Sequence, residues 1–407
     1  MKILLINRNH FIGGGADRVY LNTGKLLEEN GHNVAYFSSI NEKNLDSSGY
    51  DEYFVDDIKS RQGGLMTKIQ TVKRYLYNDE ACDKLEKLIK NFKPEVAHIH
   101  LFYGVLSASI LKILKENRIP IVITIHDYRL LCPVNAMLDK DGQICEKCKS
   151  NKFYNCITKR CSEGNIFQST VVTAEAYMRK FIFDPLTYIN HFVFVSQFSR
   201  NKHISYDQRY EDKSSHLYNF SNSLENERKV IKGNYLFYYG RLSKEKGILN
   251  LINAVKRTNS KLKIAGEGPQ HEEVLNEIEG FSNIEYVGFK SGDELTDLII
   301  NSSFVVVPSE WYENNPMTIV ESFLLGKPVI GSNIGGIPEL VTYKTGFVFE
   351  SANEISLCKS IELAEQLTNN EYDIISNNCH IFSKSNFDQQ NHLKELTEIY
   401  NKVINEN

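Results

Sequence analysis

The chain predicts an α/β protein of two doubly wound, parallel-sheet domains, and three observations carry that expectation. Short apolar runs alternate with helix-length amphipathic stretches, which is the β-α-β signature of a parallel sheet. The alternation lapses once, in a polar Asn/Ser/Glu/Lys-rich stretch over 219–233, and then resumes. A length of 407 residues also exceeds what one hydrophobic core usually supports.

In the first half the strand-like runs are Lys2–Ile6, Asn33–Phe37, Val96–Ile99, Ile121–Ile125 and His191–Val195, with helix-like stretches such as Asp17–Asn30 and Val105–Asn117 between them. In the second half Tyr235–Tyr239, Leu262–Ile264, Ile284–Val287, Phe304–Val307 and Pro328–Gly331 read the same way. This predicts a first domain over 1–220, a second over 221–385 and a last helix, from about Phe387 to Val403, long enough to pack across a domain junction. Doubly wound domains bind ligands outside the carboxyl ends of their strands, so chemistry is sought there.

Composition narrows the function classes. Hydrophobic content of 42%, charged content of 24% and a net charge of −4 describe a globular protein and argue against a dedicated nucleic-acid binder. No run of eighteen apolar residues occurs, and Lys2–Ile6 is too short for a signal-peptide core, so a cytoplasmic location is expected. Leu65–Tyr77 carries Met66, Ile69 and Val72 near helical spacing with Lys68, Lys73 and Arg74 interleaved; Ala176–Leu186 is a second such stretch. Each reads either as ordinary domain surface or as a basic amphipathic helix for peripheral membrane contact.

The most informative segment is Glu313-Asn-Asn-Pro-Met-Thr-Ile-Val-Glu321, two carboxylates eight residues apart across a proline. Pro316 suits the first turn of a helix, which puts Glu313 in the loop before it and Glu321 on it. Free N–H groups around Asn314, Asn315, Met317 and Thr318, at the positive end of the helix dipole, would suit an anion, and each carboxylate can accept two sugar hydroxyls. Two solvated acids on a proline-started helix are the plainer explanation.

Other strand ends carry further candidates. Gly13-Gly14-Gly15 before Asp17-Arg18 allows backbone to approach a phosphate, or makes a tight turn. Gly240-Arg241-Leu-Ser-Lys244-Glu-Lys246-Gly247 places cations where a diphosphate leaving group would need neutralising, or forms a solvated basic turn. His126-Asp127 sits at the mouth of a strand. Val287-Gly288-Phe289 and Gly266-Glu-Gly268 offer glycine-flanked backbone to a nucleobase, and Gly335-Gly336-Ile-Pro338-Glu339 shares that ambiguity.

Five of eight cysteines crowd into one window, Cys132, Cys145, Cys148, Cys156 and Cys161. Cys145-x2-Cys148 with Cys156-x4-Cys161 has the ligand spacing of a structural zinc site, with an unligated or redox-active thiol cluster and an iron–sulfur cluster as the other readings. Asp139-Lys-Asp141-Gly142 reads as a hairpin turn rather than a metal-binding acid pair.

Taken in order, the glycine loop at 13–15, His126-Asp127, Arg241 with Lys246, and Glu313 with Glu321 resemble the motif set of family 4 retaining glycosyltransferases of the GT-B fold, over nearly the whole chain. The resemblance implies two Rossmann-like domains facing across a cleft and a UDP- or GDP-sugar donor. Glu313 would hold donor-sugar hydroxyls and Glu321 the ribose; Arg241 and Lys246 would bind the diphosphate. Gly14, Gly15 and Gly240 would approach it, Val287 to Phe289 would hold the base, and His126 would contact the sugar near the reacting carbon. Arg18 and Asp127 would face the acceptor, a lipid-linked or growing envelope glycan. Catalysis would need no metal and no covalent nucleophile. The cysteine-rich insertion at about 132–161 departs from the family's minimal pattern. The same fold also serves nucleotide-sugar epimerases and phosphorylases, and a non-catalytic sugar-nucleotide-binding subunit is the other class.

Overall fold

The structure, a computed structural model, describes residues 1–57, 65–221 and 231–407. It divides into two compact units: Met1–Val195 with Ser199–Leu217 and Gln390–Asn407, and Ser196–Phe198 with Tyr218–Gln389. Most of the polar 219–233 stretch lies outside the described residues.

The first unit holds a six-stranded, wholly parallel sheet in the order β2-β1-β3-β4-β5-β6. Its strands are β1 (Lys2–Ile6), β2 (Asn33–Phe37), β3 (Val96–Ile99), β4 (Ile121–Ile125), β5 (His191–Phe194) and β6 (Ser214–His216). β1, β3 and β4 are apolar runs with almost no exposed residue, as central strands covered on both faces must be. The core joins them to Leu85, Leu88 and Ile89 of helix Asp79–Phe92 and to Ile110, Leu111 and Leu114 of helix Ser109–Glu116. The chain's last helix, Gln389–Asn405, returns to this unit from Gln390 onward. There the buried Tyr400 hydroxyl meets His98 Nδ1 at 2.6 Å.

The second unit holds β7 (Leu236–Tyr239), β8 (Leu262–Ala265), β9 (Ile284–Gly288), β10 (Phe304–Val307), β11 (Val329–Ser332) and β12 (Gly346–Phe349). They form a second six-stranded parallel sheet, β12-β11-β10-β7-β8-β9. Read from the other edge this is strand order 3-2-1-4-5-6, whose direction of winding reverses between the first and fourth strands, β7 and β10. In the first sheet the reversal falls between β1 and β3. A switch point opens a crevice at the carboxyl ends because the two flanking crossovers leave on opposite faces.

Candidate active site

In the second unit the switch point brings the two strongest sequence candidates together. After β7 the chain makes a single 3-10 turn, Lys244–Lys246, and enters helix Ile248–Lys256. After β10 it runs through 308–316 into helix Met317–Leu324, with Pro316 at its N-cap. β7 and β10 are hydrogen-bonded neighbours, so these two loops lie side by side. Lys246 Nζ donates to Glu313 Oε1 at 2.6 Å, and Ser309 Oγ donates to the same oxygen at 2.7 Å. The ammonium also stands 5.0 Å from the ring centroid of Trp311, the chain's one tryptophan. Burial pushes the Glu313 carboxyl up, but the charge and hydrogen bond of Lys246, helped by Ser309, outweigh it and hold the group below the usual carboxylate range.

Close backbone approach explains the glycines nearby. Gly247 has φ +68°, and a Cβ there would run into the Pro308 carbonyl. Gly336 N–H donates to Glu313 O at 2.7 Å, and a side chain on Gly336 would meet the Asn314 carbonyl. Both glycines press the 308–315 loop into place. Asn315 completes the clamp: its Oδ1 accepts the Asn219 N–H at 2.8 Å and its carbonyl accepts Asn219 Nδ2 at 3.1 Å.

Glu321 lies on the helix, 6% exposed, and its Oε2 accepts from the Tyr239 hydroxyl at 3.2 Å. Asn314 is buried, whereas Met317 and Thr318 are half-buried. Arg241 and Gly240 are exposed at the end of β7, the Arg241 carbonyl being held by the Tyr238 hydroxyl at 2.8 Å. At the end of β9 Val287 packs against the core while Phe289 projects with 64% of its surface exposed.

The first unit arranges its candidates along the same kind of edge. Gly14 caps helix Gly15–Glu29 in an extended conformation (φ −172°), with nothing within 4 Å of where a Cβ would lie, so open space rather than backbone strain marks it. Asp17 shapes the preceding loop, accepting from Asn7 Nδ2 at 2.9 Å and from Gly13 N–H at 3.2 Å. Arg18 N–H donates to the Gly14 carbonyl, so it belongs to the helix's first turn.

His126 leaves β4 and meets His100, which follows β3, with Nε2 and Nδ1 2.9 Å apart. Burial holds the His126 imidazole neutral, at about 3. Asp127 accepts the Arg129 N–H at 2.9 Å and Asn135 Nδ2 at 3.4 Å, which makes it the organiser of its own loop. That loop is anchored by a buried triad in which Arg129 Nη2 and Arg179 Nε grip Glu175 at 3.0 and 2.8 Å.

The cysteine-rich segment does not form the four-thiol cage that its spacing suggested. Among the described residues no group of three or more His, Cys, Asp or Glu is placed to hold a metal ion, and all eight cysteines are free thiols. Burial, and after it the neighbouring Cys132, Cys156 and Cys145, raise the Cys148 thiol, so these sulfurs lie near one another without making such a cage. Cys148 and Cys156 are buried with Phe153 and Ala176 in a small apolar cluster, and Cys145 and Cys161 are half-exposed. Cys161 hydrogen-bonds Cys156, which brings the Cys156 thiol down to about 7 and pushes Cys161 up. Asp139 and Gly142 close a hairpin turn, Gly142 N–H to Asp139 O at 3.0 Å, and Asp139 pairs with Lys159 at 2.8 Å.

Sequence reasoning missed Ser309, Trp311, Tyr239 and His100. Ser309 and Trp311 lie within four residues of Glu313, and the solitary tryptophan at a strand end was the available signal. A hydroxyl or imidazole that acts on another side chain leaves no spacing pattern of its own.

Comparison with known proteins bears on the family and the fold. The model described as "Glycosyltransferase Family 4" matches residues 13–221, and that described as "Glycosyl transferases group 1" matches residues 220–380. An uncharacterized 42.6 kDa protein in the cps region of Klebsiella pneumoniae is 25% identical over 84% of this chain and 87% of its own length. A glycosyltransferase from Rickettsia africae superposes with a TM-score of 0.69 at 18% identity, over 99% of this chain and 98% of that one. Anabaena Alr3699/HepE, solved in complex with UDP-glucose, does so with a TM-score of 0.68 at 16% identity, over 99% and 100%. With two Rossmann-like units of six parallel strands, and with the family 4 model matching more than half of its length, the chain belongs to glycosyltransferase family 4 and has the GT-B fold.

Proposed function

We propose that this glycosyltransferase moves a hexosyl group from a UDP- or GDP-sugar to a hydroxyl of a lipid-linked or growing envelope glycan, with retention of anomeric configuration. The observation that carries the reading is the Lys246–Glu313 pair at the switch point of the second sheet. A diphosphate leaving group needs cationic compensation as its bond to the sugar breaks, and Lys246 with the exposed Arg241 supplies it. When phosphate draws Lys246 away, the Glu313 carboxylate is released to accept sugar hydroxyls. Glu321 takes the ribose hydroxyls, and no metal ion is called on.

In the reaction the acceptor oxygen attacks the anomeric carbon on the face from which the diphosphate leaves. The carbon–oxygen bond to the diphosphate breaks, and the acceptor's proton passes to the departing phosphate oxygen. The UDP-glucose bound by the Anabaena protein supports a uridine donor, and the Klebsiella relative's cps-region origin supports a surface-polysaccharide product.

Peripheral contact with a membrane is part of the same proposal. Met66 and Ile69 are 71% and 56% exposed on helix Leu65–Leu76, and Phe181 is 71% exposed at the end of helix Ile166–Phe181. Lys73, Arg74 and Lys180 are engaged by Asp79, Glu80 and Asp207, so apolar insertion rather than lipid charge carries the contact. No helix among the described residues is long and apolar enough to cross a membrane.

The test is turnover of a panel of UDP- and GDP-sugars with a glycan acceptor, followed by proton NMR of the anomeric signals. Release of nucleoside diphosphate with the donor's configuration kept in the product is the expected result. An altered nucleotide sugar formed without acceptor would replace this reading with epimerisation, and binding without turnover would replace it with a non-catalytic subunit.

A further inference from the structure

The carboxyl edge of the first sheet carries a row of imidazoles that the proposed reaction uses only at its end. His98 lies on β3, His100 just after it and His126 just after β4, and β3 and β4 are adjacent. His98 is 1% and His100 2% exposed. The His98 and His100 rings lie 4.5 Å apart, and the His100 and His126 rings are nearly coplanar, at 15°, with centroids 5.1 Å apart. With His100 Nδ1 and His126 Nε2 2.9 Å apart, two imidazoles share one in-plane hydrogen bond.

Burial lowers the titration of both rings, so each is neutral and carries a single N–H. One nitrogen of the pair must donate and the other accept. His100 Nε2 decides which. It is buried and has no hydrogen-bond partner among the described residues. Were the His100 proton on Nε2, a donor would be sealed away from water unpaired; with the proton on Nδ1, only a lone pair goes unused. An orphaned N–H is the rarer and costlier defect. The His100 proton therefore belongs on Nδ1, pointing at His126 Nε2, and His126 must keep its own proton on Nδ1.

We propose that His100 is a positioning residue that fixes His126 as the Nδ1–H tautomer, so that His126 meets a sugar hydroxyl or phosphate oxygen as a hydrogen-bond donor and not as a base. The hydroxyls of Tyr400 and Thr124, at 2.6 and 2.8 Å from the two nitrogens of His98, hold the ring against which His100 packs at a tilt of 32°. The orienting group is thus itself held by the last helix. The functional half of this inference rests on the glycosyl-transfer reading; the tautomer half does not.

Two measurements separate the halves. Long-range proton–nitrogen correlation NMR on ligand-free protein labelled with 15N-histidine, assigned with His126→Asn and His100→Asn variants, reads each tautomer directly and needs no substrate. Nδ1–H on both His100 and His126 is expected, and Nε2–H on His126 overturns the proposal even if the protein transfers sugar. Turnover of the donor found above is then compared for His100→Leu, which cannot donate, and His100→Asn, whose amide nitrogen can replace Nδ1. His100→Leu should lower kcat/KM about tenfold or more, the worth of one well-aligned hydrogen bond, with affinity for free nucleoside diphosphate unchanged and His100→Asn recovering most of the rate. Equal losses in the two variants would mean that His100 only fills space. If no donor turns over, the glycosyl-transfer reading fails while the NMR result still decides the tautomer.

Discussion

Lys246 Nζ and Glu313 Oε1 stand 2.6 Å apart although 67 residues separate them, because each leaves the carboxyl end of one of two neighbouring strands. The pair is asymmetric: the lysine side chain is 27% exposed and the glutamate 7%. Removing the cation would strand a carboxylate with little water, whereas removing the acid would leave an ammonium that can still reach solvent.

Lys246→Met should therefore destabilise the second unit by about 2 kcal/mol at neutral pH. The sign with pH follows from the depressed Glu313 group. Its contribution is fully present above the unfolded glutamate value, about 4.3, and is lost as pH falls through the lower folded value. Thermal unfolding of the two proteins should differ most at neutral pH and converge in acid. A constant difference from pH 3 to pH 8 would mean that the pair adds nothing beyond packing.

Arg241→Ala tests the clamp without touching the buried pair, since Arg241 is exposed. Calorimetry should show affinity for the nucleoside diphosphate falling about tenfold while that for the nucleoside is unchanged. Equal losses for both ligands would take Arg241 away from the phosphates.

Gly247→Ala should cost about 2–3 kcal/mol and weaken nucleotide binding, because the new Cβ would press on the Pro308 carbonyl in the loop that carries Glu313. Gly280→Ala is the matched control. Gly280 has φ +83° with nothing within 4 Å of the Cβ position, so it should show only the ~1 kcal/mol cost of left-handed backbone. Equal unfolding midpoints for the two variants would remove the argument from close approach.

The thiols should titrate as eight free groups in the denatured protein, with no stoichiometric zinc by elemental analysis. One zinc per chain with four thiols protected would restore the cage that the spacing of Cys145, Cys148, Cys156 and Cys161 suggested.

Sequence reasoning found every central strand of both sheets, where cover on both faces demands mostly apolar residues, and also the edge strands β2 and β9. β6, Ser214–His216, has no aliphatic residue, and β12, Gly346–Phe349, is short and half-exposed; both are edge strands, which need to satisfy only one neighbour. The cations at 241–246 and the carboxylates at 313 and 321 were visible as separate motifs. That Lys246 reaches Glu313 depends on β7 pairing with β10, which no local pattern encodes. Ligand spacing along a chain brings thiols near one another, as it does at 145–161, without by itself giving them the tetrahedral arrangement a metal needs. His100 stayed hidden because an isolated histidine after a strand has no signature until its neighbour across the sheet is known.

The central claim is that the 240–247 turn and the 313–321 segment together hold a nucleoside diphosphate. The most direct test is calorimetric titration of UDP, GDP, ADP and NAD into the protein and into its Glu321→Gln variant, which keeps the side chain's shape while removing one of the two oxygens offered to a ribose. The account predicts that one nucleoside diphosphate binds selectively and that the variant weakens it about tenfold. Binding of NAD alone, of none of the four, or of one with equal affinity in both proteins would contradict it.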